Sequence, residues 1–416
     1  MRKLLLLISL GFWLVKPTFA ANCVWVVNFD FPITSVSADY LISVIQKANH
    51  EKVKALVVEL DTPGGLLEST RVVVKEFLAS KVPVVVYVSP SGARAASAGT
   101  FLVYAATYAA MAPGTHLGAA HPVTLVGSEK KIMMKKILND TLAWAKNIAN
   151  LRHRNYEVIK EAILKCRTYT EKEALRLGAI DFIAKNLKDL LKKLSLKLKL
   201  KGCKVKFLEV PLKYRLLITL TNPNLIYFLL MLGLAGLYFE LSHPGAVFPG
   251  VIGSISLMLA LVGLSILPVS YAGVGLILLS GLLFFLETRV PSHGVLSIGG
   301  LVSLFLGSIM LFKGLPEGLQ INDFNLYGIF VVVSILLLWV SYLAVKTLRK
   351  KPISGSEGLI GKVGEVLEEI TPQRPGKVFV EGEIWKAEAD TLIPKGSKVI
   401  VLSKDGLNLK VKTVEE

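Results

Sequence analysis

The 416 residues carry 52% hydrophobic and only 19% charged side chains, with a mean hydropathy of +0.55, which excludes both a disordered chain and an ordinary water-soluble enzyme. Lys and Arg number 48 against 31 Asp and Glu, a formal charge of +17 that fits nucleic acid, an anionic membrane surface or control of membrane topology. No nucleic-acid module accompanies the charge, so the membrane is favoured; Cys23, Cys166 and Cys203 lack zinc-like spacing and give neither a disulfide framework nor a metal site.

Arg2 and Lys3, an apolar run from Leu4 to Val15, and Thr18-Phe19-Ala20 read as a secretory signal over residues 1–20, which delivers the adjoining domain outside the cytoplasm. That domain is expected to occupy 21–210. In it β-rich runs at Val24 to Phe29, Val53 to Leu60 and Val82 to Val88 alternate with helical stretches at Ser37 to Ala48 and Leu66 to Ser80, the rhythm of a parallel sheet covered by helices. The Lys-rich stretch Lys185 to Lys206 contains the alternation Leu196-Lys197-Leu198-Lys199-Leu200, which predicts an amphipathic hairpin strand near a bilayer.

Residues 211–350 hold five apolar stretches, near 223–241, 247–268, 271–287, 295–313 and 325–345, each approaching the ~20 residues of a spanning helix. The third and fourth are short, which leaves four crossings as the alternative count. Lys346, Arg349, Lys350 and Lys351 place the end of the last span in the cytoplasm, consistent with an exported first domain and five crossings. Leu229 to Glu240 repeats as Leu276 to Glu287, each glutamate four residues before a proline, Pro244 or Pro291, and Gly253 corresponds to Gly300. Each repeat reads as helix, break, helix. Glu240, His243, Glu287 and His293 then sit at helix ends, as caps or anchors rather than a conduction path. Residues 355–416 return to soluble composition, with five short β runs separated by Gly, Pro and Asp turns, as in a small closed barrel.

Chemistry concentrates in the first domain. Asp61-Thr62-Pro63-Gly64-Gly65-Leu66 succeeds one strand and opens a helix, and its glycines can turn backbone N–H groups toward a ligand. Ser97, in Ala95-Ala96-Ser97-Ala98-Gly99, comes after the next strand and stands at a helix start, where small neighbours leave room for a carbonyl and the helix end favours an oxyanion. Tight packing alone explains such a serine equally well. Its base is open between His116 or His121, which would need an orienting carboxylate, and a lysine made neutral by desolvation. Lys146, flanked by Leu142, Ala143, Trp144, Ile148 and Ala149, has an apolar setting, whereas Lys130, Lys131, Lys135 and Lys136 form an exposed-looking run.

Asp61-Thr62-Pro63-Gly64-Gly65, Ala95-Ala96-Ser97-Ala98-Gly99, Pro113-Gly114-Thr115 and Glu173-Ala174-Leu175-Arg176-Leu177-Gly178, in this order, resemble the ClpP-class membrane-bound serine proteases of the NfeD family. Gly361-Lys362-Val363-Gly364-Glu365-Val366 is similar to the start of that family's C-terminal OB-type barrel, so the resemblance covers nearly the whole mature chain. It implies an α/β crotonase/ClpP-like protease domain, a helical transmembrane domain and a small all-β OB-type barrel. It also implies a Ser–Lys dyad without metal or cofactor: Ser97 as nucleophile, Gly65 and Ala98 as the oxyanion hole, Gly64 and Leu66 against the substrate. The base is implied to be Lys146, because the family's lysine precedes an Arg-Asn pair as Lys146 precedes Arg154-Asn155. A stomatin-like protein as substrate or partner, the lipid bilayer, and a homodimer or higher homo-oligomer are implied by the same resemblance. The protein would be multi-pass in the cell membrane, its protease domain extracytoplasmic and its barrel cytoplasmic. A non-catalytic scaffold for stomatin-like oligomers and a signal-peptide-peptidase-type protease are the competing readings.

Overall fold

The computed structural model describes residues 23–122, 131–200, 202–242, 245, 247–290, 292, 294–316, 318–348 and 358–414. The expected leader, Lys130, His243, Pro244, Pro291, His293 and the basic residues Arg349 to Lys351 lie outside the described residues. The chain divides into two compact units, Met1–Ser341 and Tyr342–Glu416.

The first unit begins β1 (Cys23–Phe29), α1 (Ser35–Glu51), β2 (Ala55–Leu60), α2 (Leu67–Ala79), β3 (Val84–Val88), β4 (Arg94–Ala96), α3 (Ala98–Ala105), β5 (Tyr108–Met111) and β6 (His116–Gly118). It continues with α4 (Lys131–Leu151), α5 (Tyr156–Leu164), β7 (Thr168–Thr170), α6 (Glu171–Arg176), β8 (Phe182–Ile183), α7 (Leu187–Leu198) and β9 (Lys204–Leu208). One six-stranded, all-parallel sheet runs β8-β5-β3-β2-β1-β9, and β4, β6 and β7 form a small second sheet. Every residue of β3 is buried, as a parallel strand covered on both faces must be. Val27, Val58 and Val86 point into the main core with Leu41 of α1 and Val74 of α2, while Val26, Val57 and Tyr87 meet α7 on the other face.

The hairpin strand expected at Leu196 to Leu200 is not formed. Leu187, Leu190, Leu191, Leu194 and Leu198 fall on one side of α7 at helical spacing, and Leu190 and Leu194 are buried against the sheet. Leu and Lys are both good helix formers, so a period-two alternation of five residues yields to the longer helical period. The strand of this region is β9, beyond Gly202, paired in parallel with β1.

Five apolar helices come after a short α8 (Leu212–Thr219): α9 (Pro223–Ser242), α10 (Phe248–Ile266), α11 (Tyr271–Glu287), α12 (Val295–Leu311) and α13 (Asp323–Leu348). Three are long and apolar enough to cross a membrane, with spans of 20, 19 and 21 residues; α11 and α12, at 17 residues each, are shorter. The sequence repeat becomes two helix hairpins closed through glycine. A Cβ at Gly253 would lie 2.8 Å from the Leu237 nitrogen in the first hairpin, and one at Gly307 would lie 2.8 Å from Ile277 Cγ1 in the second. Glu287 accepts hydrogen bonds from Ser292 Oγ (2.6 Å) and the backbone N–H groups of Gly294 and Ser297 (3.0 Å each), which makes it the cap of α12. Its repeat mate Glu240 packs on Gly250 in the first turn of α10.

In the second unit β10 (Val363–Glu368), β11 (Gly376–Val380), β12 (Glu383–Glu388), β13 (Lys398–Asp405) and β14 (Asn408–Thr413) close a barrel in the order β10-β11-β12-β14-β13. Its strands alternate buried and exposed residues around Val366, Val378, Val399 and Leu409. The three architectures thus stand in the order expected.

Candidate active site

The turn after β2 is held open toward Ser97 by its own backbone. Thr62 donates its N–H to the Arg94 carbonyl (2.8 Å) and its hydroxyl to the Phe31 carbonyl (2.8 Å), while Gly64 accepts from Ile33 N–H (2.8 Å). Gly64 and Gly65 adopt φ of +115° and +155°, and a Cβ on Gly65 would come within 2.2 Å of the Ile33 oxygen. A Cβ on Gly64 would lie 2.6 Å from Ser97 Cβ, so the turn and the serine are in direct apposition.

Ser97 sits between β4 and α3 with φ +51° and ψ −117°, a conformation that costs a non-glycine residue on the order of 1–3 kcal/mol. Its surroundings hold it there. Ser97 N–H donates to the Gly118 carbonyl (2.8 Å), and Thr100 Oγ1 binds the carbonyl of Ala95 (2.9 Å) while accepting from Gly118 N–H (3.0 Å). Ser97 Oγ makes no hydrogen bond among the described residues, and neither the Gly65 nor the Ala98 N–H has a protein acceptor among them. A half-buried serine on a strained turn, with two unpaired donors beside it, could attack a carbonyl and hold the resulting oxyanion.

These groups face a cavity of about 320 Å³. Gly65, Leu66, Ser97 and Ala98 line it, Gly64 does not, and Phe101 of α3 and Ile137 and Thr141 of α4 join them. His121 lines it too. Its Nδ1 lies 2.8 Å from the Ile163 carbonyl and must donate to it, which leaves Nε2 free to accept a proton. His116, on β6, is not among the lining residues.

Lys146 is exposed and does not line the cavity; Ser97 and Lys146 are not brought together. The phase of α4 explains this. Trp144 stacks on Phe101 at 4.5 Å, Arg71 lies 4.6 Å over the Trp144 ring and pairs with Asp140, and Ile137 and Thr141 consequently face the serine. Five residues beyond Thr141, Lys146 points about 140° round the helix axis. The Arg-Asn pair beyond it anchors this end of α4 and the start of α5: buried Arg154 pairs with Asp181 (2.9 Å) and binds the Ala179 carbonyl (3.1 Å), and Asn155 caps α5. Burial pushes the Tyr104 phenol well above its ordinary range as its hydroxyl donates to the Asn155 carbonyl (2.9 Å).

Three cavity residues come from the membrane domain: Pro268 in the α10–α11 link, and Gly314 and Pro316 in the α12–α13 link. No local sequence signal points to them, because they reach the site only through long-range packing. Ile137 and Thr141 could have been found from the apolar phase of α4.

Three family profiles match in succession: the NfeD1b N-terminal domain over residues 23–200, the NfeD integral membrane domain over 224–343, and the NfeD-like C-terminal, partner-binding domain over 356–412. The membrane-bound protease PH1510 of Pyrococcus horikoshii is 33% identical over 99% of this chain and 98% of its own length. The membrane protein NfeD1b of Bacillus subtilis is 26% identical over 94% and 93%. Among solved structures, a membrane-bound stomatin-specific protease, a lysine-to-alanine mutant in complex with a substrate peptide, is 33% identical and covers 48% of this chain and 98% of its own, with a TM-score of 0.45.

Proposed function

This chain belongs to the NfeD family, and from that premise we propose that it is a membrane-bound serine endopeptidase that cleaves apolar, membrane-proximal segments of stomatin-like proteins. The observation that carries the reading is Ser97 on its strained turn, with the unpaired N–H groups of Gly65 and Ala98 beside it in one cavity. A full-length relative that is a membrane-bound protease supports it.

In the mechanism, Ser97 Oγ attacks the scissile carbonyl and gives its proton to the amine of Lys146. The oxyanion is held between Gly65 and Ala98 N–H, the lysine returns the proton to the leaving amine, and water repeats the sequence on the acyl-enzyme. Gly64 and Leu66 flank the substrate. For Lys146 to act, α4 must turn out of the packing that Trp144 and Phe101 now impose. The first domain lies outside the cytoplasm and the barrel inside, by the leader and the basic end of the last span. A second reading of the base rests on His121, which lines the cavity and whose Nδ1, not Nε2, is taken up by the Ile163 carbonyl.

The test is cleavage, read by mass spectrometry, of a peptide spanning a stomatin-like protein's apolar C-terminal segment by the detergent-purified chain. Wild type is expected to cut, and Ser97→Ala and Lys146→Ala are expected not to. An active Lys146→Ala with an inactive His121→Ala would transfer the base to His121. An intact peptide in every case would favour the scaffold.

A further inference from the structure

The cavity at Ser97 has two walls of different origin. One consists of Leu66, Ser97 and Phe101; the other is built by Pro268, Gly314 and Pro316, which belong to the links between the apolar helices. These links are packed, not loose. Leu267, Leu315 and Leu319 are buried in the core of the helical domain, Leu319 N–H donates to the Pro316 carbonyl (3.0 Å), and Gln320 Nε2 donates to the Leu315 carbonyl (3.2 Å). The two domains meet at the same place: Leu66 packs against the helical core, and a Cβ on Gly318 would come 2.4 Å from Pro63, in the turn that carries Gly64 and Gly65.

We propose that Pro268 and Pro316 are specificity-determining residues of this enzyme, forming the wall across from Ser97 that selects an extended, apolar polypeptide segment entering along the membrane surface. The inference rests on the protease reading above and adds to it the part of the chain that reads the substrate. Two features of the wall carry it. Its lining is apolar and, with a proline in each link, conformationally stiff, so a bound chain meets a fixed shape rather than a yielding loop. Its residues follow the C-terminal ends of α10, which is long and apolar enough to cross a membrane, and of the shorter apolar α12; with these helices in a bilayer, a segment emerging beside their ends would reach Ser97 without crossing bulk water.

The experiment uses the full chain in vesicles carrying a stomatin-type peptide whose residues flanking the scissile bond bear a photo-crosslinking side chain. Crosslinks to Ser97→Ala protein are mapped by mass spectrometry, and wild type is assayed for cleavage in parallel. Pro268→Ala and Pro316→Ala are assayed separately on two peptides that differ only in a small or bulky residue beside the cut. Crosslinks at 267–269 and 312–316, with a shift of at least about tenfold in the bulky-to-small ratio of kcat/KM in either variant, are expected. Cleavage by wild type with crosslinks confined to residues 23–200 and an unchanged ratio overturns the inference and leaves the protease reading standing. No cleavage by wild type removes the protease reading, and this inference with it.

Discussion

Ser97 keeps a side chain where the backbone geometry suits glycine, and that cost is separable from catalysis. Ser97→Ala retains the Cβ and Ser97→Gly removes it, so both are expected to be inactive while the glycine variant is more stable than the alanine variant by about 1 kcal/mol, as read by chemical denaturation in detergent. Equal stabilities would mean that the turn carries no strain. Gly64 offers the complementary probe. In Gly64→Ala the new methyl would meet Ser97 Cβ at 2.6 Å, and the serine must move away from the donors of Gly65 and Ala98. A loss on the order of 10²-fold in kcat, the size expected for a misaligned oxyanion hole, should be visible in a peptide assay. Glycine at these positions could be read from the sequence as a turn. Its contact with Ser97 could not, since 33 positions separate the two.

At the scale of elements, the C-terminal end of α5 is tied to β7 by one carboxylate. Lys165, Tyr169 and Arg167 donate to Glu161 and hold its carboxyl down at about 2, while burial pushes the Tyr169 phenol up to about 12. A native value below the ordinary carboxylate value means that the stabilisation is complete above that value and is lost as the pH falls through about 2. Glu161→Gln should therefore lower Tm at pH 7, with the gap to wild type narrowing as the pH falls from about 4.5 to about 2; a gap independent of pH would assign the loss to packing. The phase of a helix decides more than its existence. For α7 a five-residue window shows a strand, whereas the full twelve residues show the leucine stripe that buries Leu190 and Leu194. For α4 the apolar setting of Lys146 is visible in the sequence. Which face turns inward is set by Trp144 on Phe101 and by Arg71 at Asp140, partners that lie on other elements. Loosening that packing with Trp144→Ala is expected to raise cleavage several-fold if α4 must turn for Lys146 to work. Unchanged or lower activity in folded protein would count against the turning helix.

In the whole molecule, Ser97 shares its cavity with the links between apolar helices, so cleavage by the proposed protease is expected to depend on the surface it is fixed to. A peptide tethered to the same vesicle should be cut at least about tenfold faster than the same peptide free in solution, because tethering raises its local concentration; equal rates would remove any advantage of membrane placement. The pH profile discriminates the two bases at this scale. A neutral amine as base makes kcat/KM climb into the alkaline range, and an imidazole makes it level off above about pH 7.

The sequence by itself determined the order of the three architectures, the core strands β1 to β3, the five apolar helices with their internal repeat and the five strands of the barrel, and it marked Ser97 and the glycine turn as candidates. These are written in composition, in apolar runs, in helical and strand periods and in short motifs, all of which can be read from neighbours along the chain. The tertiary structure alone decided that Lys146 faces outward while His121 faces the cavity, and that Pro268, Gly314 and Pro316 complete its wall. Those outcomes depend on how separate elements pack, and no local pattern in the chain encodes the face that a distant partner will claim.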